Sequence, residues 1–118
     1  MRHANKNRTL SRDKDGRAAL LRGLCVSLIR DGQITTTYAK AKEVQPRIER
    51  LITIAKTDTV STRRVAAARL GSPNDAIMKT LFQTVAPKFA ARKGGYTRVV
   101  KMGRLPSGRD GAVISFVE

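Results

Sequence analysis

Gly94-Gly95-Tyr96-Thr97-Arg98-Val99-Val100-Lys101-Met102 is the stretch on which the fold turns. Before it, apolar residues recur with the 3.6-residue period of helices; from Tyr96 to Met102 they alternate with polar ones at period 2, as strands do. The glycine pair is a turn signal. Downstream, residues 112–117 form a second β-rich run, and the loop between, residues 103–111, carries Leu105-Pro106-Ser107-Gly108. The two runs predict a hairpin with a long basic loop.

Upstream, Leu20, Leu21, Leu24, Cys25, Leu28 and Ile29 form a helical stripe, with Asp13 and Asp15 near its start and Arg30 in its last turn. Those charges suit the helix dipole. Gly32 ends this helix, and the β-branched run Gln33-Ile34-Thr35-Thr36-Thr37 predicts a short strand. A second helix starts near Tyr38, because Ile48, Leu51, Ile52 and Ala55 fall at i, i+3, i+4 and i+7, while Pro46 predicts a bend within it. Residues 60–70 predict a third helix stopped by Gly71. Ser72-Pro73-Asn74-Asp75 then reads as an N-cap, a first-turn proline and a capping-box acid for a fourth helix, which buries Ile77, Leu81, Phe82 and Val85 and halts before Pro87.

The expected architecture is one α+β domain over residues 13–118, in the order α-β-α-α-α-β-β. Three to four helices pack on one face of a small three-stranded mixed sheet made of residues 33–37, 96–102 and 112–117. Residues 1–12 carry Arg2, Lys6, Arg8 and Arg12, no acid and little to bury, and are expected to be a flexible basic arm that RNA orders.

Over 118 residues Lys+Arg number 24 and Asp+Glu 9, a net charge of +15 that calls for a polyanionic partner. Hydrophobic residues still make up 41%, enough for a modest core. No apolar run approaches the ~20 residues of a membrane span. The first residues lack the apolar run of a signal peptide and read as mature sequence, and a single cysteine fits a reducing compartment.

The inventory for catalysis is thin, so no enzyme, metal or cofactor is expected. The only histidine, His3, lies in the arm, and Cys25 shares an apolar helical face with Leu21 and Ile29. Lys93-Gly94-Gly95-Tyr96-Thr97 lacks the spacing of a phosphate-binding Walker loop. Val99 and Val100 stand where an RNA-recognition motif would need stacking aromatics, and aromatic residues are only 4% of the chain. Affinity must therefore come from phosphate and sugar contacts.

The candidate RNA-binding residues are Arg2, His3, Lys6, Arg8 and Arg12 of the arm, Arg17, Lys40, Lys42, Arg63 and Arg64 of the helices, and Arg92, Lys93, Gly94, Gly95, Tyr96, Arg98, Lys101 and Arg104 of the C-terminal half. Gly94-Gly95 would let backbone approach a phosphate, or is a plain turn. Tyr96 either packs on the sheet or touches a base or ribose. No membrane or small-molecule partner is expected.

The chain also resembles a known family, the bacterial-type large-subunit ribosomal protein family bL17. The resemblance runs from Met1-Arg2-His3 and Arg8-x-Leu10-x-Arg12 through Ile34-x-Thr36-Thr37-x-x-Lys40-Ala41-Lys42-Glu43 and Glu49-x-Leu51-Ile52-Thr53-x-Ala55-Lys56. Arg63-Arg64, Lys79-x-Leu81-Phe82 and Gly94-Gly95-Tyr96-Thr97-Arg98 complete it, while Ala39 stands where the family often has proline. It implies a cytoplasmic, non-catalytic structural constituent of the large ribosomal subunit, acting in translation. Such a protein binds 23S-type ribosomal RNA beside other ribosomal proteins near the exit tunnel. The alternative from charge alone is a free-standing nucleic-acid-binding module of the nucleoid or RNA-chaperone type.

Overall fold

A computed structural model describes residues 14–117. Its elements run α1 (Lys14–Asp31), β1 (Gln33–Thr37), α2 (Tyr38–Ala55), α3 (Val60–Leu70), α4, β2 (Thr97–Arg104) and β3 (Asp110–Phe116). Helix α4 opens at Asp75–Lys79, passes through a π-helical turn at Thr80–Val85 and closes with a turn at Ala86–Lys88. The expected arm, residues 1–12, lies outside the described residues.

Local punctuation explains the helix ends. Gly32, at φ +83°, donates its N–H to the Leu28 carbonyl at 2.8 Å and stops α1. Thr37 is both the last residue of β1 and the N-cap of α2, its hydroxyl accepting the Lys40 N–H at 3.3 Å. No loop separates strand from helix there. Helix α2 continues through Pro46 as the sequence suggests.

The start of α4 differs from expectation. Gly71 (φ +76°) and Ser72 (φ +56°) both adopt left-handed backbone, and the N–H groups of Ser72 and Gly71 return to the carbonyls of Ala67 (2.7 Å) and Ala68 (3.3 Å). This paired arrangement finishes α3, so Ser72 is spent on the preceding helix. Asn74 is the N-cap, accepting the Ile77 N–H at 3.1 Å.

The far end of α4 differs too. Ile77, Leu81, Val85 and Phe89 are all buried at a spacing of four. At 3.6 residues per turn each step of four overshoots a full turn by about 40°, so a plain α-helix would rotate this stripe off the core. The π-turn, with its i→i+5 bonds, takes more residues per turn and winds the stripe back. Ala86 donates to the Leu81 carbonyl to close it. Pro87, with no N–H to place, then sits in the opening positions of the final turn rather than ending the helix.

The sheet is antiparallel throughout, not mixed, with strand order β1-β3-β2. The last strand in sequence takes the centre and both neighbours run against it, the pairing that is slightly more stable per residue. One row, Ile34–Ile114–Val99, faces α2; the next, Gln33–Ser115–Arg98, lies on the opposite face. An irregularity between Lys101 and Gly103 carries β2 on to Arg104, so the loop is shorter than the sequence suggests. Leu105 and Arg109 close it with a 2.7 Å backbone bond. Gly111 leaves room for Leu105, whose side chain would have to shift to admit a Cβ that comes within 2.6 Å of it. The buried core gathers Leu21, Leu28 and Ile29 of α1, Val44, Ile48 and Ile52 of α2, Leu81 of α4, Tyr96, and Ile114 of β3.

Candidate nucleic-acid interface

Strand β2 is an edge strand and carries Arg98, Lys101 and Arg104, all exposed, along its length. Each end of it meets further cations. At the loop end, Lys40, Arg104 and Arg109 line one concavity with a single acid, Asp110, at the start of α2, where the helix dipole adds positive potential. Close by, the ammonium groups of Lys101 and Lys42 lie 4.7 and 5.9 Å from the centroid of the Tyr38 ring. At the other end, Lys88, Arg92 and Arg98 line a groove of about 800 Å³ together with Asp31, Gln33 and Ser115. Asp31 is already engaged by Arg30 at 3.0 Å, which holds its carboxyl below the usual range.

The glycine loop is positioned by α2. The Lys56 ammonium donates to the Arg92 carbonyl, and Arg92 Nε donates to the Gly94 carbonyl at 3.1 Å. Gly95 takes φ +65°, a conformation that favours glycine. Lys93, Gly94 and Gly95 are exposed beside it.

Tyr96 does not contact solvent. It is 1% exposed, its ring packs at a tilt of 50° against Phe89 with centroids 5.3 Å apart, and its hydroxyl meets Thr53 at 3.3 Å. Hydrogen bonds from Lys56 and Thr53 hold its phenol below the ordinary value. Of the two sequence readings, packing is the correct one, and Tyr96 is removed from the surface that could touch a base.

Arg17, Arg63 and Arg64 join neither cationic group. Arg17 is half-buried on α1 and Arg64 is exposed on α3. Arg63 grips Asp58 with two bonds, 2.6 and 2.9 Å, and lies 5.3 Å from the Phe82 ring. That pair depresses the Asp58 carboxyl. Arg2, His3, Lys6, Arg8 and Arg12 lie outside the described residues.

Other chemistry is sparse among the described residues. Cys25 is 2% exposed, and burial pushes its thiol to about 12 against the opposing field of Arg47. No group of three His, Cys, Asp or Glu side chains is placed to hold a metal ion, and no helix is long and apolar enough to cross a membrane.

The sequence reading missed two features. Lys56, part of the family resemblance, was not singled out for the site because its role is to hold the glycine loop, which only tertiary packing reveals. Arg22, Arg47, Arg50 and Arg69 line a common cleft between α1, α2 and α3, yet they come from three separate helices. The pair Arg47 and Arg50, at i and i+3 on an exposed face, was the one local signal.

The family model described as Ribosomal protein L17 matches residues 20–118. A "Large ribosomal subunit protein bL17" of Solibacter usitatus is 48% identical over 118 residues, covering 100% of this chain and 76% of that protein. The protein of the same name from Gemmatimonas aurantiaca is 47% identical over 118 residues, covering 100% of this chain and 97% of its own. With the family model spanning most of α1 through β3 and relatives aligned over the whole of this chain, the chain belongs to the bL17 family of large-ribosomal-subunit proteins.

Proposed function

We propose that the chain grips large-subunit ribosomal RNA along the β2 edge, through the cations gathered at its two ends. As a member of its family it is a structural constituent of the large subunit, associated with the subunit's RNA in translation, and not an enzyme. Our reading adds that it works in the cytoplasm, beside neighbouring ribosomal proteins near the exit tunnel. Arg2, His3, Lys6, Arg8 and Arg12 add backbone contacts, and Arg17, Arg63 and Arg64 give secondary ones.

The observation that carries this is the run Arg98, Lys101, Arg104 on an exposed edge strand, flanked by Lys40, Lys42 and Arg109 at one end and Lys88 and Arg92 at the other. Cations on an edge also deter strand-to-strand aggregation. That duty needs one or two lysines, not a cationic groove at each end. Tyr96 being buried, sequence-independent phosphate contacts carry the affinity.

The test is a salt titration of RNA binding by the full chain and by the Arg98→Gln/Lys101→Gln/Arg104→Gln variant. Each lost phosphate contact is expected to flatten the log-log slope by roughly 0.7 to 0.9, so three contacts flatten it by about 2 to 3. An unchanged slope removes β2 from the interface. Gradient sedimentation of tagged protein separates the ribosomal reading, a large-subunit peak, from a free-standing module, a free or DNA-associated pool.

A further inference from the structure

Away from β2, on the helical side of the molecule, α1 contributes Arg22, α2 contributes Arg47 and Arg50, and α3 contributes Arg69 to one cleft of about 400 Å³. Four guanidiniums, always charged at accessible pH, face one acid there, the buried Glu43.

The cleft is shaped for a backbone rather than a base. Its floor is closed by Cys25 and Leu51, which are 2% and 3% exposed and leave little apolar area for a base to cover. The Arg22 side chain passes close over Gly71, its Nε 3.0 Å from where a Cβ would stand, at the left-handed turn that ends α3. The negative end of that helix favours a cation there. The cleft also does not stop at its own rim. Arg50 and Arg69 line the adjoining depression with Lys93, Gly94 and one acid, Glu49, whose Oε2 accepts from the Thr97 hydroxyl at 2.7 Å, so a track with cations in excess leads from the three helices to the glycine loop.

We infer that this track clasps the phosphodiester backbone of a ribosomal RNA strand, which crosses the arginine cleft and continues past Lys93 to the Gly94 loop. It is a second RNA-binding surface, separate from the β2 edge, and rests on the reading that the protein binds large-subunit RNA. Guanidinium forks match phosphate oxygens two at a time, and an array that continues over two depressions fits a polymer better than a single ion. An acidic segment of a neighbouring protein is the competing occupant, and the experiment separates the two.

Arg47 and Arg50 are exposed, so Arg47→Gln/Arg50→Gln is expected to melt as the parent does. In a salt titration with large-subunit RNA this variant is expected to flatten the slope by roughly 1.4 to 1.8, while Arg47→Lys/Arg50→Lys keeps it. A control, Lys14→Gln/Lys79→Gln, removes two exposed charges away from the cleft and the β2 edge and is expected to leave the slope alone. In parallel, phenylglyoxal labelling read by mass spectrometry is expected to modify Arg47 and Arg50 in the free protein and spare them in a complex with RNA alone. Protection that needs other ribosomal proteins overturns the inference in favour of a protein partner. Equal flattening by the control, or an unchanged slope with full labelling in the RNA complex, overturns it as well. Failure of the parent protein to show any salt-dependent binding would instead discard the RNA-binding reading as a whole.

Discussion

Cys25 sits among Leu21, Leu28 and Ile29 and keeps its proton in the folded state up to about 12, against an ordinary value of 9.0. The sign follows from linkage. The native thiol holds a proton that the unfolded chain releases, so its contribution to stability is intact below pH 9 and is lost as pH rises towards 12. Cys25→Ser, which does not titrate in this range, is expected to show a flatter alkaline limb in urea melts at successive pH values. The difference in slope is at most about 1.4 kcal/mol per pH unit. The same variant is expected to cost roughly 1 to 3 kcal/mol at neutral pH, from a buried hydroxyl, and to leave RNA affinity unchanged. Identical alkaline slopes would mean the thiol reaches water. Cys25 was legible in the sequence because its helical neighbours at i−4 and i+4 are local. Tyr96 was not, since what buries it, Phe89, Lys56 and Thr53, comes from α2 and the end of α4.

Elements were readable where punctuation is local. The bounds of β1 and α3 follow from Gly32, Gly71 and the hydroxyl caps Thr37 and Thr59. The start of α4 was misread because Ser72 has the right chemistry for a cap, and only its left-handed backbone shows that it serves the helix before it. Melting temperatures of three variants check this assignment. Asn74→Ala is expected to cost about 0.5 to 2 kcal/mol, Ser72→Ala far less, and Ser72→Gly to be neutral or stabilising, as glycine accepts positive φ without strain. The reverse order would make Ser72 the cap after all. The π-turn had no signature beyond the spacing of four itself, and the irregularity in β2 depends on pairing with β3, a partner the local sequence does not display.

At the scale of the molecule the charge was legible and its arrangement was not. A net +15 announces a polyanion, whereas the grouping of Arg98, Lys101 and Arg104 needs the sheet order, and the arginine cleft needs three helices docked together. Residues 1–12 add four Lys and Arg charges and almost no apolar area. Their deletion is expected to flatten the RNA-binding salt slope by up to roughly 3.6 while leaving the urea midpoint of the free protein unchanged, measured on the same preparation. A large loss of stability would assign them to the core instead. The strand order also dictates a schedule for synthesis. β1 emerges early, but its hydrogen-bonding partner is β3, more than seventy residues later and the central strand of the sheet. Until Asp110–Phe116 is clear of the tunnel of the ribosome making it, β1 and β2 lack their shared partner, and the nascent chain holds at most a helical cluster with open strand edges. The cationic edge on β2 is therefore finished last, so a stalled or truncated product lacks a completed sheet to present to RNA.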